Sequence, residues 1–81
     1  MNNIKKIIRL SEARNLEERS PFRFSLNAPV ILKSTTERAT VLDALFRGHL
    51  SGGFCRITYT LLTEAGRQLE IQMYELRAVR Q

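Results

Sequence analysis

The clearest pattern of hydrophobic and polar positions runs from residue 55 to residue 73. Apolar side chains occupy every second position on both sides of the segment Glu64-Ala65-Gly66: Ile57, Tyr59 and Leu61 before it, and Leu69, Ile71 and Met73 after it. This alternation predicts two strands that each bury one face. The three-residue loop predicts a hairpin whose glycine adopts the left-handed conformation.

The loop length also predicts how the two strands pair. Counting outward from Thr63 opposite Arg67, the apolar pairs are Leu61–Leu69, Tyr59–Ile71 and Ile57–Met73, and the polar face pairs are Thr60–Glu70, Thr58–Gln72 and Arg56–Tyr74. After Met73 the alternation changes parity. We therefore expect a bulge or a turn of 3₁₀ helix near residues 74–75.

The N-terminal segment carries a helical pattern. Ile4, Ile7 and Ile8 follow i, i+3, i+4 spacing, which predicts a helix from about residue 4 to the break at Ser20-Pro21. Its charges oppose the helix dipole, since cations lie near the start and acids near the end. Packing must therefore stabilise it, and Asn15 is a candidate point of division.

Three further elements follow. Alternation in FRFSL predicts a strand over residues 22–26, and the β-branched run at residues 30–32 predicts another. Residues 35–47 have a capping-box start at Ser34-Thr35-Thr36-Glu37 and Gly48 at the end, which predicts a helix. The β-branched pair Thr40-Val41 leaves a strand over residues 39–46 as the alternative.

Together these elements predict an α+β fold in a single small domain, residues 1–81. The order is α-β-β-α-β-β, with helices on one face of an antiparallel sheet and a curled SH3- or Sm-like sheet as a variant. A chain of 81 residues has a thin core. That thin core and an exposed strand edge at residues 22–26 predict a homo-oligomer such as a homodimer.

Charge narrows the function classes. Thirteen Lys and Arg residues against eight Asp and Glu give a net charge of +5 and a pI near 10.2. This excess favours DNA, RNA or an acidic protein as partner. No apolar run approaches the ~20 residues needed to span a bilayer, and charges interrupt the N-terminal apolar stretch. We expect a cytoplasmic protein that does not bind membranes.

The sequence offers little for catalysis or cofactor binding. One cysteine and one histidine cannot form a structural zinc site within one protomer. Cys55 shares the parity of Ile57 and is expected to face the core, whereas His49 reads as a polar loop residue. We therefore predict no enzyme, no metal and no cofactor.

Arginine placement is the remaining chemistry. Arg56 on the polar face of its strand, with Tyr74 across the ladder and Arg23 on another strand, predicts a cationic surface with an aromatic ring. The full set of candidate binding residues is Lys5, Lys6, Arg9, Arg23, Arg56, Tyr74, Arg77 and Arg80. The alternative is a solvated face in which Arg56 packs on Tyr74 and pairs with Glu70 or Glu75.

The segments VLDALFRG, FCRITYTLL and RQLEIQMY, followed by EL, resemble the small β-barrel of WYL domains over about residues 42–79. The Trp-Tyr-Leu signature itself is absent. WYL domains, like Sm-like barrels, belong to bacterial regulators that bind nucleic acid or nucleotide ligands. The resemblance implies a barrel-like sheet and a regulatory setting, and it assigns no binding residue.

Two functions follow from these observations. The first is a small, basic, non-enzymatic regulator that binds nucleic acid or a nucleoprotein complex through arginine-rich surfaces. The alternative is an adaptor or inhibitor, of the size that phages and mobile elements encode, whose basic face binds an acidic protein partner.

Overall fold

The computed structural model describes residues 6–49 and 55–79. Six strands are present: β1 Lys6–Arg9, β2 Pro29–Leu32, β3 Arg38–Gly48, β4 Cys55–Thr63, β5 Gln68–Gln72 and β6 Leu76–Ala78. Turns of 3₁₀ helix cover Leu10–Glu12 and Met73–Glu75, and within the described ranges the one α-helix is α1, Leu16–Arg19. Since α1 buries none of its residues, no helix covers a face of the sheet. The α+β prediction is therefore wrong, and the fold is mostly antiparallel β-sheet.

Strand β3 is the centre of the sheet. The order is β5-β4-β3-β2-β6, and β1 also pairs with β3. Because β4 follows β3 along one edge from Ala39 to Gly48, β1 and β2 must share the other edge. There β2 pairs with the first residues of β3 and β1 with the last four.

The core lies on the inner face of this sheet. It is one cluster of buried side chains from five strands and two connecting segments: Ile8, Leu10, Phe24, Val30, Leu32, Ala39, Val41, Ala44, Phe46, Ile57, Tyr59, Leu61 and Leu76. Five strands ~4.8 Å apart are too wide to share one small cluster if they lie flat. The sheet therefore curves around its own inner face, which replaces the helical layer that the sequence pattern predicted.

A β-bulge explains why residues 35–47 resemble a helix. Val41 pairs with Leu61 and Asp43 with Thr60, so Leu42 is an extra residue. The bulge places Val41 and Ala44 on the same buried face, three positions apart as in a helix. The strand alternative for residues 39–46 is confirmed. The apparent capping box is a turn, in which the Thr35 hydroxyl accepts a hydrogen bond from the Glu37 N–H at 3.2 Å.

The N-terminal helix prediction is also wrong over most of its length. Ile8 is buried against β3 while Ile7 is 62% exposed, which is the alternation of a strand. Asn15 divides the segment and caps α1 by accepting a hydrogen bond from the Glu18 N–H at 2.9 Å. The opposed charge order was the signal that this segment resists a long helix.

Residues 22–26 do not form a strand. Phe24 is buried, and both its backbone polar groups bond to the Tyr59 hydroxyl: the N–H donates at 2.8 Å and the carbonyl accepts at 3.0 Å. One side chain thus supplies the partners that a neighbouring strand would provide. Homo-oligomerisation consequently loses its predicted edge at these residues and stays a prediction. The strand predicted at residues 30–32 is confirmed as part of β2.

The C-terminal hairpin is confirmed. Gly66 has φ +84°, the Thr63 N–H donates to the Arg67 carbonyl at 2.8 Å, and Tyr59 pairs with Ile71 as predicted. The 3₁₀ turn at Met73–Glu75 absorbs the parity change. This turn ends the ladder at Thr58–Gln72, so the predicted pairing of Arg56 with Tyr74 is wrong. In the described part of the chain, no helix is long and apolar enough to cross a membrane.

Candidate functional site

Two arginines lie directly opposite each other on the outer face of the sheet, the face that points away from the core. Arg47 of β3 pairs with Arg56 of β4, and both side chains are exposed. Like charges directly opposite on adjacent strands repel each other. Within residues 6–49 and 55–79 neither guanidinium forms an ion pair with a carboxylate. The pair therefore creates a local positive potential without an acid to balance it.

These arginines line a concave region that we call the arginine cavity, of about 260 Å³. Arg9 of β1 reaches it from the other side of β3, and Thr58 and Thr60 supply hydroxyl groups. The single acid in the lining is Glu70 of β5. Three guanidinium groups with hydroxyl donors form a surface suited to an oxyanion such as phosphate.

Asp43 holds the N-terminal side of this cavity in place. Its carboxylate accepts hydrogen bonds from the Ser11 N–H at 3.0 Å, the Ser11 hydroxyl at 3.0 Å and the Ala44 N–H at 2.8 Å. Arg9 Nη1 lies 3.5 Å from Asp43 Oδ2, and the Arg9 side chain is 49% exposed. Burial alone would raise the pKa of Asp43, but these hydrogen bonds outweigh it and lower the pKa below its ordinary value.

A second concave region, the tyrosine cleft, adjoins the first and measures about 600 Å³. It forms because β5 ends at Gln72 whereas β4 continues to Cys55, so the last three residues of that end of β4 have no β5 partner. Its lining comprises Arg23, Cys55, Arg56, Ile57, Gln72, Met73 and Tyr74. Arg56 belongs to both cavities. A charged surface and a partly apolar cleft therefore meet at one side chain.

Tyr59 determines where Arg23 lies. The Tyr59 hydroxyl bonds both backbone groups of Phe24, the residue that follows Arg23. The Arg23 guanidinium carbon lies 5.3 Å from the centroid of the Phe24 ring, a cation–π distance. Burial raises the pKa of the Tyr59 hydroxyl. The core tyrosine thus anchors the loop that carries an arginine to the cleft.

The structure brings together four of the eight predicted binding residues. Arg23, Arg56 and Tyr74 line the tyrosine cleft, and Arg9 and Arg56 line the arginine cavity. Lys6 lies three positions from Arg9, so the two point to opposite faces of β1. Arg77 lies on β6, at the other end of the strand order from β5. Lys5 and Arg80 lie outside the described residues.

The sequence pattern missed Arg47. It was the last residue of a predicted helix, where a cation is expected on dipole grounds, so it was not placed opposite Arg56. Cys55 was also misplaced: it is exposed and lines the cleft instead of facing the core. In the ranges that the structure describes, no group of three or more His, Cys, Asp or Glu side chains could hold a metal ion.

The chain matches no protein-family model, no curated protein and no solved structure. The resemblance to WYL domains therefore stays a prediction, and the function must be argued from the site itself.

Proposed function

We propose that this protein is a small, non-enzymatic, regulatory nucleic-acid-binding protein that holds the phosphate backbone on the outer face of its sheet. The observation that carries the proposal is the unpaired, directly opposed arginine pair, Arg47 and Arg56. Such a pair costs stability in isolation, and an anion placed between the two guanidinium groups removes that cost. A phosphate offers each of them oxygen acceptors in the geometry that arginine prefers.

The surroundings of the pair support a polyanion over a single small anion. Arg9 extends the positive surface across β3, and Arg23 extends it beyond the end of β5. Four arginines spread over two adjoining cavities can contact several phosphates of one strand. The net charge of +5 adds long-range attraction to such a partner.

The test is a salt titration of binding, measured by fluorescence anisotropy with labelled single-stranded and duplex oligonucleotides. Four arginine–phosphate contacts predict a log–log slope of about −2.8 for single strands and about −3.6 for duplex DNA. Affinity should then fall about 50- to 150-fold between 50 and 200 mM salt. Absence of binding at about 50 mM salt would overturn the proposal.

Paired variants identify the face involved. Arg47→Ala/Arg56→Ala should reduce the salt slope by about 1.4 for single strands. The matched control, Arg14→Ala/Arg38→Ala, removes the same charge at exposed residues that line neither cavity and should change the slope much less. Glu70→Gln removes the acid of the arginine cavity and should tighten binding.

The same variants separate the proposal from the adaptor alternative. Equal slopes in the two double variants would mean that binding follows net charge and not this face. In that case, a partner retained after nuclease treatment of a pull-down would favour an acidic protein as the physiological ligand.

A further inference from the structure

We infer that the nucleic acid is bound as a single strand, with one unstacked base in the tyrosine cleft beside Tyr74 and its adjoining phosphate on Arg56 and Arg47. This inference rests on the proposed function and adds the strandedness of the ligand and the position of a base. It comes from the junction between the two cavities, which a purely electrostatic surface does not require.

The cleft has the dimensions and chemistry of a base pocket. Its volume of about 600 Å³ falls within the ~300–1,000 Å³ typical of small-molecule sites. Ile57 and Met73 give it apolar walls, and Arg23 and Arg56 flank it with charge. Aromatic rings and arginine guanidinium planes are the surfaces on which unpaired bases stack.

Tyr74 is suited to the stacking role because the fold leaves it uncovered. It lies in the 3₁₀ turn Met73–Glu75 and is 72% exposed. The other tyrosine, Tyr59, is completely buried and has both hydrogen-bond partners in the backbone of Phe24. An exposed aromatic ring at the edge of a basic cleft is otherwise an unfavourable use of apolar surface.

The end of β4 adds polar groups to the same place. Its residues 55–57 pair with β3 on one side, but the β5 ladder on the other side stops at Thr58. Strand residues without a neighbour present free N–H and C=O groups. Such groups can bond to the polar edge of a base, and a base inside a duplex has that edge and both faces occupied. The site therefore selects an unpaired nucleotide.

The experiment compares four probes of equal length: oligo(dT), oligo(U), an abasic deoxyoligonucleotide and a DNA duplex. Tyr74→Ala should weaken oligo(dT) binding by about 5- to 100-fold and leave the abasic and duplex affinities unchanged. Tyr74→Phe should retain most of the affinity because the ring is preserved. Arg47→Ala should weaken all four probes, since each has phosphates. The oligo(dT) and oligo(U) arms distinguish DNA from RNA as the source of the base.

The outcomes separate this inference from the proposed function. If Tyr74→Ala leaves oligo(dT) affinity unchanged while Arg47→Ala lowers every affinity, the backbone proposal stands and the base site is overturned. Equal loss of affinity for all four probes on Tyr74→Ala would also overturn it. If no probe binds at low salt, both fail. Photo-crosslinking of a 5-iodouracil oligonucleotide to Tyr74, mapped by mass spectrometry, would place the base directly.

Discussion

Arginines on neighbouring strands of the same outer face have opposite surroundings. Arg9 lies 3.5 Å from the Asp43 carboxylate, which also ties Ser11 and Ala44 together. Arg47 and Arg56, one or two strands away, face each other and have no carboxylate partner in the described residues. The difference separates a charge pair that holds the fold from a charge pair left for a ligand. Each prediction below tests one side of that division.

The largest expected effect is on stability, from Asp43→Ala. The substitution removes the acceptor of three hydrogen bonds and one ion pair, and we expect a loss of about 1.5–3 kcal/mol in urea unfolding. Glu37→Ala is the control, because its ion pair with Arg67 at 3.4 Å is more exposed and should cost about 0–1 kcal/mol. Oligonucleotide affinity should not fall in Asp43→Ala. A large fall would mean that Asp43 belongs to the binding surface.

Arg23 extends the comparison, because a backbone anchor holds its loop. Tyr59→Phe leaves the N–H and the carbonyl of Phe24 without their partner, which should cost about 1–3 kcal/mol. Tyr74→Phe, at the exposed tyrosine, should leave the free energy of unfolding unchanged. If both substitutions have equal effects on urea unfolding, the hydroxyl of Tyr59 does not anchor this loop.

The ionised form of Asp43 predicts a pH dependence. Its pKa is lower in the folded protein than the ordinary value of 3.8, so the unfolded chain binds the proton more tightly. The stabilisation is fully present above the unfolded pKa and is lost as pH falls through the folded pKa. The stability difference between wild type and Asp43→Asn should therefore be constant above about pH 5 and shrink below about pH 4. A difference that persists at pH 2 would exclude the ionised carboxylate as its cause.

The smallest expected effect is a gain. Arg47→Thr removes the repulsion with Arg56 and should raise stability by about 0.2–1 kcal/mol at low salt. Because salt screens exposed charges, the gain should shrink near 1 M salt. Arg38→Thr on the same strand controls for the β-propensity of threonine. Equal gains in the two variants would show that Arg47 and Arg56 do not repel each other in the free protein.

The sequence was most informative where its periodicity was undisturbed. Alternation between Ile57 and Ile71 and the glycine at position 66 were enough to predict the hairpin and its pairing, because a three-residue loop permits one register. The parity change after Met73 correctly indicated the 3₁₀ turn. These features depend on local geometry alone.

Prediction failed where a distant contact decided the structure. The Phe22–Leu26 alternation resembled a strand, but the hydroxyl of Tyr59, 35 positions from Phe24, satisfies its backbone. Ile7 and Ile8 matched a helix until pairing with β3 placed one inside and one outside. Arg47 was missed as a site residue for the same reason, since its position opposite Arg56 depends on which strands are neighbours.

The extra residue at Leu42 has a consequence for how this chain tolerates insertions and deletions. Side chains on β3 alternate between core and solvent, so the bulge determines that Phe46 points inward and Arg47 outward. A single deletion between Val41 and Ala44 would exchange the two, burying a guanidinium and exposing a phenyl ring. Length changes of one residue there alter the core and the basic face together, whereas changes of two residues preserve both. Variation in the length of this strand should therefore occur in even steps.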